Sequence, residues 1–265
     1  MTITFLGTGT SQGVPIIGCD CEVCTSTDKH DKRLRTSVLI ETDGKVIVID
    51  TGPDFRYQML RAGVKHLDAV VFTHEHKDHT AGLDDIRAFN YIQQSPMDIY
   101  AIPRVQDSLK REFSYIFAEF KYPGIPQLNM HTIGLEPFNI GPVKFTPIEV
   151  MHYKLPVLGF RVKDFTYITD AKTIAPAEIE KIKGTKILVI NALQKQPHIS
   201  HFTLDEAIAF AQQIGAQTTY FTHISHRLGK HADVSAELPA GIKLAYDGLK
   251  IETAPPQPSP EERGL

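Results

Sequence analysis

The stretch Thr73-His-Glu-His-Lys-Asp-His79 places three histidines and one aspartate within six consecutive residues. It follows the mainly apolar run Leu67–Thr73, which predicts a buried strand that delivers the first histidine at its end. Imidazole and carboxylate groups are good ligands for zinc, manganese and iron. In a tight loop they cannot all point the same way, so we expect His74 and His76 to face one ion and Asp78 and His79 a second. The alternative is a solvated polar loop that is rich in histidine.

Composition bounds the class of protein. The chain has 265 residues, of which 42% are apolar and 22% are charged, with a formal net charge of −3. These values are typical of a globular protein and exclude a mostly disordered one. No run of about 18 uncharged apolar residues exists, so we expect no membrane partner. Met1–Gly7 lacks a basic region before its apolar residues, which predicts a strand and not a signal peptide. We therefore expect a cytoplasmic enzyme.

Apolar periodicity predicts strands and helices that alternate in both halves of the chain. The dipeptide Asp43-Gly44 lies between two β-rich runs and predicts a hairpin, because both residues tolerate positive φ. Alternating elements mixed with hairpins indicate α/β layers built on mixed sheets. We predict one compact domain at residues 1–252 and a mobile, Pro-rich tail at residues 253–265. The predicted helices are Phe55–Ala62, Leu83–Tyr91, Val105–Glu119, Ala175–Ile182 and Leu204–Ile214.

The pattern His-x-His-x-Asp-His after an apolar strand resembles the signature of the metallo-β-lactamase fold hydrolases. Asp50-Thr-Gly52 follows an earlier strand, and His152, Asp170 and His223 follow later ones, in the order of that family. The resemblance covers nearly the whole chain. It implies a four-layer αββα sandwich, in which two mixed sheets are flanked by helices and a two-metal site lies at one edge.

The same resemblance implies a ligand set for two divalent ions, zinc or manganese. One ion would be held by His74, His76 and His152, the other by Asp78, His79 and His223, and Asp170 would bridge both. Two ions about 3.5–4 Å apart can share a hydroxide, lower its pKa and bind both oxygens of an in-line displacement. Asp78 therefore counts as catalytic as well. Asp50 is expected to anchor the histidine loop from behind the ligands, the alternative being a turn-forming Asp.

Three cysteines lie close together, at Cys19, Cys21 and Cys24, and they are the only ones in the chain. An odd, tightly spaced set is unsuited to disulfides, but its spacing suits three corners of a tetrahedral zinc site. The alternative is three exposed reduced thiols. Together with Gly9-Thr-Ser-Gln-Gly13-Val-Pro15, the cluster is similar to the cyclic phosphodiesterases of bacterial phosphonate operons, which carry a structural zinc there. That likeness implies a fourth ligand three residues after the last metal histidine, at His226.

Two residues outside the ligand sets are candidates for catalysis and substrate binding. His201 precedes Thr203 and Glu206, which form a capping-box pattern at a helix start. In the phosphodiesterase branch a histidine at the matching place lies near the leaving group, which makes His201 a candidate general acid. The alternative is an exposed histidine. Lys154, two residues after His152, either contacts a substrate phosphate or is solvated.

These features favour a metal-dependent phosphodiesterase that acts on a small cyclic phosphate diester such as phosphoribosyl 1,2-cyclic phosphate. The alternatives are an RNA 3′-end processing nuclease of the tRNase Z type and a thioester or other ester hydrolase on the same fold. A net charge of −3 argues against nucleic acid, because phosphate contacts need clustered Lys and Arg. The charged insert after His79 mixes both signs and is interpreted as a solvated face. The sequence does not decide whether the protein forms a homodimer. The charged residues of the insert are Arg104, Lys110, Arg111, Lys121, Asp107, Glu112 and Glu119.

Overall fold

Secondary structure alternates along the chain in the computed structural model, which describes residues 1–120 and 122–253. The strands are β1 (Thr2–Gly7), β2 (Ser37–Thr42), β3 (Lys45–Ile49), β4 (Ala69–Val71), β5 (Met97–Ala101), β6 (Leu128–Thr132), β7 (Phe138–Ile140), β8 (Val143–His152), β9 (Leu155–Val162), β10 (Phe165–Tyr167), β11 (Thr173–Ile174), β12 (Ile187–Asn191), β13 (Thr218–Thr222), β14 (Ile242–Leu244) and β15 (Lys250–Glu252). The helices are α1 (Phe55–Ala62), α2 (Lys77–Thr80), α3 (Arg87–Gln93), α4 (Pro103–Glu112), α5 (Ser114–Phe117), α6 (Pro176–Ile182), α7 (Leu204–Ile214) and α8 (His231–Glu237). Short 3₁₀ turns lie at Lys29–Asp31, Leu83–Ile86 and His226–Leu228.

The strands form two mixed sheets. The first has seven strands in the order β15-β1-β2-β3-β4-β5-β6, antiparallel as far as β3 and parallel from there. The second has eight strands, with the order β11-β8-β9-β10-β12-β13-β14 and β7 paired to β8. It is antiparallel around β9 and parallel from β10 to β14. The hairpin between β2 and β3 turns at Asp43 and Gly44, both with positive φ, which confirms the predicted turn.

Side chains alternate between two faces of each sheet and so define the layers. In β2, Val38 and Ile40 pack between the sheets, whereas Leu39 packs outward against α1 and α3. In β12, Val189 joins the core between the sheets, and Leu188 contacts the outer layer that contains α7 and α8. Helices therefore cover the outer face of each sheet, which confirms the predicted four-layer αββα sandwich.

The predicted helix Val105–Glu119 is wrong as a single element. The chain leaves helical geometry at Phe113, whose φ is −110° and ψ is 43°, and α5 begins one residue later. Phe113 packs against the outer core on the α1 side, and Ile116 is buried. Tertiary packing here overrides the helical periodicity of the sequence.

The predicted mobile tail begins at Thr253, and residues 254–265 lie outside the described residues. Thr253 itself donates its N–H to the carbonyl of Met1 beside β15. Within residues 1–120 and 122–253, no helix is both long enough and apolar enough to cross a membrane.

Candidate active site

The candidate ligands follow the ends of strands along one edge of the two sheets. Residues 74–79, which we call the metal loop, come shortly after β4. Of the other candidates, His152 is the last residue of β8, and Asp170 and His223 follow β10 and β13. Three residues at this edge have left-handed backbone: Asp50 with φ 66°, Asp170 with φ 56° and His223 with φ 54°. Non-glycine residues rarely adopt this conformation, and strained residues cluster at functional sites.

Asp50 connects the metal loop to the end of β3. Its buried carboxylate accepts hydrogen bonds from the backbone N–H and hydroxyl of Thr73, each 2.8 Å long, and lies 2.7 Å from Nδ1 of His79. Burial raises the pKa of Asp50, while His79 and Thr73 lower it in part. The side chain thus lies behind the loop, as the sequence predicts.

Four side chains form one candidate metal-binding set, with one donor atom from each lying within 4.8 Å of the others: Asp78, His79, Asp170 and His223. Nε2 of His79 is buried and has no hydrogen-bond partner in the described chain, although it lies 3.2 Å from a carboxylate oxygen of Asp78 and of Asp170. Burial opposes its charged form, but the surrounding carboxylates raise the pKa of His79 well above its ordinary value. A cation at Nε2 would satisfy this atom, so these residues fit a metal ion.

The histidines His74, His76 and His152 also lie together. Their ring centroids are 4.6 Å, 5.2 Å and 5.9 Å apart, and Nε2 of His74 lies 3.0 Å from Nδ1 of His76. Nδ1 of His152 is 2.9 Å from the carbonyl of Ser200, which leaves Nε2 for a ligand. Burial lowers the pKa of both His74 and His152, and the neutral ring that results is the form that binds metals. We call these three side chains the first donor set, and Asp78, His79 and His223 the second.

Asp170 lies between the two donor sets. One carboxylate oxygen is 3.2 Å from both Nε2 of His79 and Nδ1 of His223, and the other is 3.0 Å from Nε2 of His201. One donor atom each from Asp170, His152 and His201 also lie within 4.8 Å of one another. Burial opposes its charge, but His223 and His79 hold the pKa of Asp170 well below its usual range. This placement suits a carboxylate that bridges two cations.

His201 lies inside the cluster. Its ring centroid is 4.5 Å from that of His152 and 4.9 Å from that of His223, and the side chain is 8% exposed. The predicted capping box behind it is present, since Thr203 and Glu206 exchange side chain to backbone hydrogen bonds at the start of α7. The exposed-histidine alternative is wrong for His201.

Sequence reasoning assigned no role to His198, whose Nδ1 is 3.2 Å from Nδ1 of His201. Burial, and then the nearby His201, lower its pKa. The three-residue spacing between His198 and His201 was the one sequence feature that could have predicted their contact. Lys154 is exposed in the turn between β8 and β9, where its Nζ lies 5.3 Å from the Tyr153 ring centroid. Its contact with substrate stays a prediction.

The three cysteines surround His226. Its Nδ1 lies 3.3 Å from Sγ of Cys19, 3.3 Å from Sγ of Cys21 and 3.5 Å from Sγ of Cys24. The backbone N–H of Cys24 is the main cause that lowers the pKa of Cys21 to about 6, which favours the thiolate, the form that binds zinc. Three thiols and one imidazole around one point suit a closed zinc site. Cys24 is buried and the other two are half-buried, which disfavours three exposed thiols.

One short segment connects the cysteine site with the second donor set. His223 and His226 are three residues apart after β13, and Ile224 between them exchanges backbone hydrogen bonds with Thr8 and Thr10. The hydroxyl of Thr10 lies 3.3 Å from Nε2 of His223. The loop that contains Thr8 and Thr10 thus passes beside the candidate ligands.

Gly52 lets the backbone of the metal loop approach β3. A Cβ atom there would lie 2.1 Å from the carbonyl oxygen of Asp78, and backbone cannot move aside as a flexible side chain can. We expect Gly52→Ala to lower the free energy of unfolding by about 1–3 kcal/mol through overpacking and to weaken metal binding. Chemical denaturation with and without chelator measures both effects. Gly134→Ala is the control, because no atom lies within 4 Å of its added Cβ; equal behaviour of the two variants would contradict the expectation.

Comparisons with known proteins agree with this architecture. A family model described as a beta-lactamase superfamily domain matches residues 45–224. A crystal structure of a new diphosphatase from the PhnP family is 45% identical, with a TM-score of 0.89, and the match covers 94% of this chain and 96% of that one. Zinc-bound PqqB from Methylobacterium extorquens has a TM-score of 0.76 at 19% identity, covering 96% and 100% of the two chains, and so shares the fold.

Some similar proteins are longer than the region that matches this chain. Octanoyltransferase of Porphyromonas gingivalis (strain ATCC BAA-308 / W83) is 43% identical over 253 residues, which are 94% of this chain and 51% of that protein. The chain spans about half the length of the curated relatives it matches.

Proposed function

Because this chain belongs to the beta-lactamase superfamily and, within it, to the PhnP family, we propose that it is a metal-dependent phosphodiesterase whose substrate is a small cyclic phosphate diester such as phosphoribosyl 1,2-cyclic phosphate. The observation that carries the proposal is the position of Asp170 between two imidazole-rich donor sets. Its carboxylate also lies 3.0 Å from the imidazole of His201, the candidate general acid for ester hydrolysis. A small molecule as the partner agrees with the net charge of −3.

The first donor set, whose rings lie together, and the second would each hold one divalent transition-metal ion, zinc or manganese, with Asp170 shared between them. Such ions supply Lewis acidity toward phosphate oxygens and a lowered pKa for water. Asp78 contributes a carboxylate to the second set, where its negative charge offsets part of the cation charge. Asp50 occupies Nδ1 of His79, which leaves Nε2 as the atom that would bind an ion. The cysteines and His226 would hold a separate structural zinc.

His201 is placed to hold the proton for the leaving group. Its Nε2 is 3.0 Å from a carboxylate oxygen of Asp170, which is within hydrogen-bond distance. Its Nδ1 lies 3.1 Å from the hydroxyl of Ser200, which orients the ring. Lys154, exposed on the hairpin that carries His152, is proposed to contact the substrate phosphate.

We expect His201→Ala to lower kcat about 10²–10⁴-fold on esters with alkoxide leaving groups, because that is the usual contribution of general acid catalysis. Bis(p-nitrophenyl) phosphate should be affected much less, since nitrophenolate leaves without a proton. Steady-state kinetics on both substrates makes the comparison. His66→Ala, at an exposed histidine outside the cluster, is the control. Equal losses on both substrates would remove His201 from the role of acid.

A substrate panel tests the proposal as a whole. The metal-loaded protein would be assayed on ribose 1,2-cyclic phosphate esters, 2′,3′-cyclic nucleotides, a dinucleoside diphosphate, precursor tRNA and an octanoyl thioester. We expect the cyclic phosphate diester to give the highest kcat/KM. A preference for the diphosphate would instead match the activity of the PhnP-family relative. Activity confined to the thioester, or to precursor tRNA, would overturn the proposal.

A further inference from the structure

Helix α4 contacts the metal loop at both of the positions that carry no donor. The candidate donors of the loop occupy positions 74, 76, 78 and 79, and the remaining two residues are Glu75 and Lys77. Oε1 of Glu75 lies 2.9 Å from Nε of Arg104, at the beginning of α4. The ammonium of Lys77 pairs with the carboxylate of Glu112, at the end of the same helix. Arg104, which is half-buried, therefore does not belong to a solvated face, and this corrects the interpretation from sequence at that residue; Glu112 is exposed, as that interpretation expects.

Arg104 also contacts the hairpin of β8 and β9. Its guanidinium donates through Nη2 to the carbonyl of Pro156 on β9. Pro156 pairs with Met151 across the hairpin, next to the pair formed by His152 and Leu155. Arg104 thus joins the metal loop, which carries His74 and His76, to the hairpin that carries the third member of the first donor set.

The helix that presents Arg104 is held firmly. Val105 and Leu109 are fully buried in the outer core. The side-chain amide of Gln106 donates 3.0 Å hydrogen bonds to the carbonyl of Ala101 and the hydroxyl of Thr132. Nε of Arg104 forms an ion pair with Glu75 without a hydrogen bond among the described residues, whereas Nη2 donates to the carbonyl of Pro156. One guanidinium on a fixed helix therefore contacts both segments.

The two ion pairs differ in burial. Lys77 is 65% exposed at its side chain, so its pair with Glu112 is mostly solvated. The Glu75 carboxylate is 19% exposed, and its Oε2 is buried with no hydrogen-bond partner among the described residues. Without Arg104 this carboxylate would be left partly buried and uncompensated, so the loop would move to expose it.

We propose that Arg104 is a positioning residue for the first donor set: by holding Glu75 and the carbonyl of Pro156 together, it sets the affinity of one of the two ions without touching it. This inference rests on the proposed function, in that the first donor set holds an ion. Glu75, which lies between two of the ligand histidines, is the residue through which Arg104 acts.

Competition titration with a chromophoric zinc chelator, together with elemental analysis of metal per chain, tests the proposal on the full-length protein. We expect Arg104→Gln to weaken one cluster ion about 10–100-fold, the usual effect of losing a partner outside the ligands, and to leave the second ion and the cysteine-bound zinc unchanged. Excess zinc should restore kcat with an unchanged KM. Glu75→Gln should weaken the same ion, and the double variant should lose less than the sum of the two.

Matched variants keep the test decisive. Arg104→Lys keeps the charge but offers a single point donor, so we expect an intermediate loss, and this variant carries the test if Arg104→Gln does not fold. Lys77→Gln, which breaks the exposed pair, should change zinc affinity by no more than about fivefold. Unchanged affinity in both Arg104 variants, or an equal loss of all ions, would overturn the positioning role. Wild-type protein that binds only the cysteine zinc would instead overturn the proposed function.

Discussion

Asp78→Ala is expected to lower kcat/KM on a phosphate diester by about 10³-fold or more, because the loss of several kcal/mol of metal-derived stabilisation corresponds to that factor. The variant removes one carboxylate from the second donor set. The carboxylates of Asp50 and Asp170, which contact His79, stay in place. We expect elemental analysis to find one ion fewer per chain at metal concentrations that saturate the wild type.

Asp164→Asn serves as the control for Asp78→Ala. Its carboxylate is exposed between β9 and β10 and pairs with Lys186, away from either donor set. It should keep both the activity and the metal content of the wild type. Undiminished hydrolysis by Asp78→Ala with full metal content would contradict a mechanism that uses two ions.

Cys21→Ser is expected to lose one zinc per chain and to lower the melting temperature by on the order of 10 °C, because several kcal/mol of zinc binding is coupled to folding and each kcal/mol corresponds to about 2–4 °C in a domain of this size. The site connects residues 19–24 to His226, more than 200 positions later in the chain. Since His223 lies in the same segment, we also expect weaker metal binding in the second donor set. Differential scanning calorimetry and elemental analysis measure the two effects.

Glu22→Gln is the matched variant in the cysteine loop. Glu22 is 73% exposed and pairs with Lys230, and such exposed ion pairs contribute little to stability because water screens them. It should retain zinc and a melting temperature close to that of the wild type. If Cys21→Ser kept its zinc and its stability, the cysteines would not form a structural metal site.

Local features of the molecule could be predicted from the sequence. The turn at Asp43-Gly44, the capping box at Thr203 and the helix Leu204–Ile214 each depend on a few neighbouring residues, and each is present in the structure. The metal loop belongs to the same class, because ligand chemistry and spacing within residues 74–79 are visible without a fold. The alternation of strands and helices predicted α/β layers on mixed sheets, and the family resemblance implied the four-layer arrangement.

Contacts between distant segments could not be predicted in this way. The break at Phe113 depends on packing against the outer core, and the approach of His198 to His201 depends on the path of the loop before α7. The pairing of Arg104 with Glu75 was hidden, because a helix with charges of both signs has the same sequence pattern whether its partners are water or a loop.

The sequence alone therefore determined which residues can bind metals and which of them lie together in a loop, because donor chemistry and short-range spacing are properties of the residues themselves. Only the tertiary structure decided that Asp170 lies between the two donor sets, that His201 contacts it, and that α4 holds the metal loop. Burial and the approach of distant strands create these contacts, and both arise only when the two sheets pack against each other.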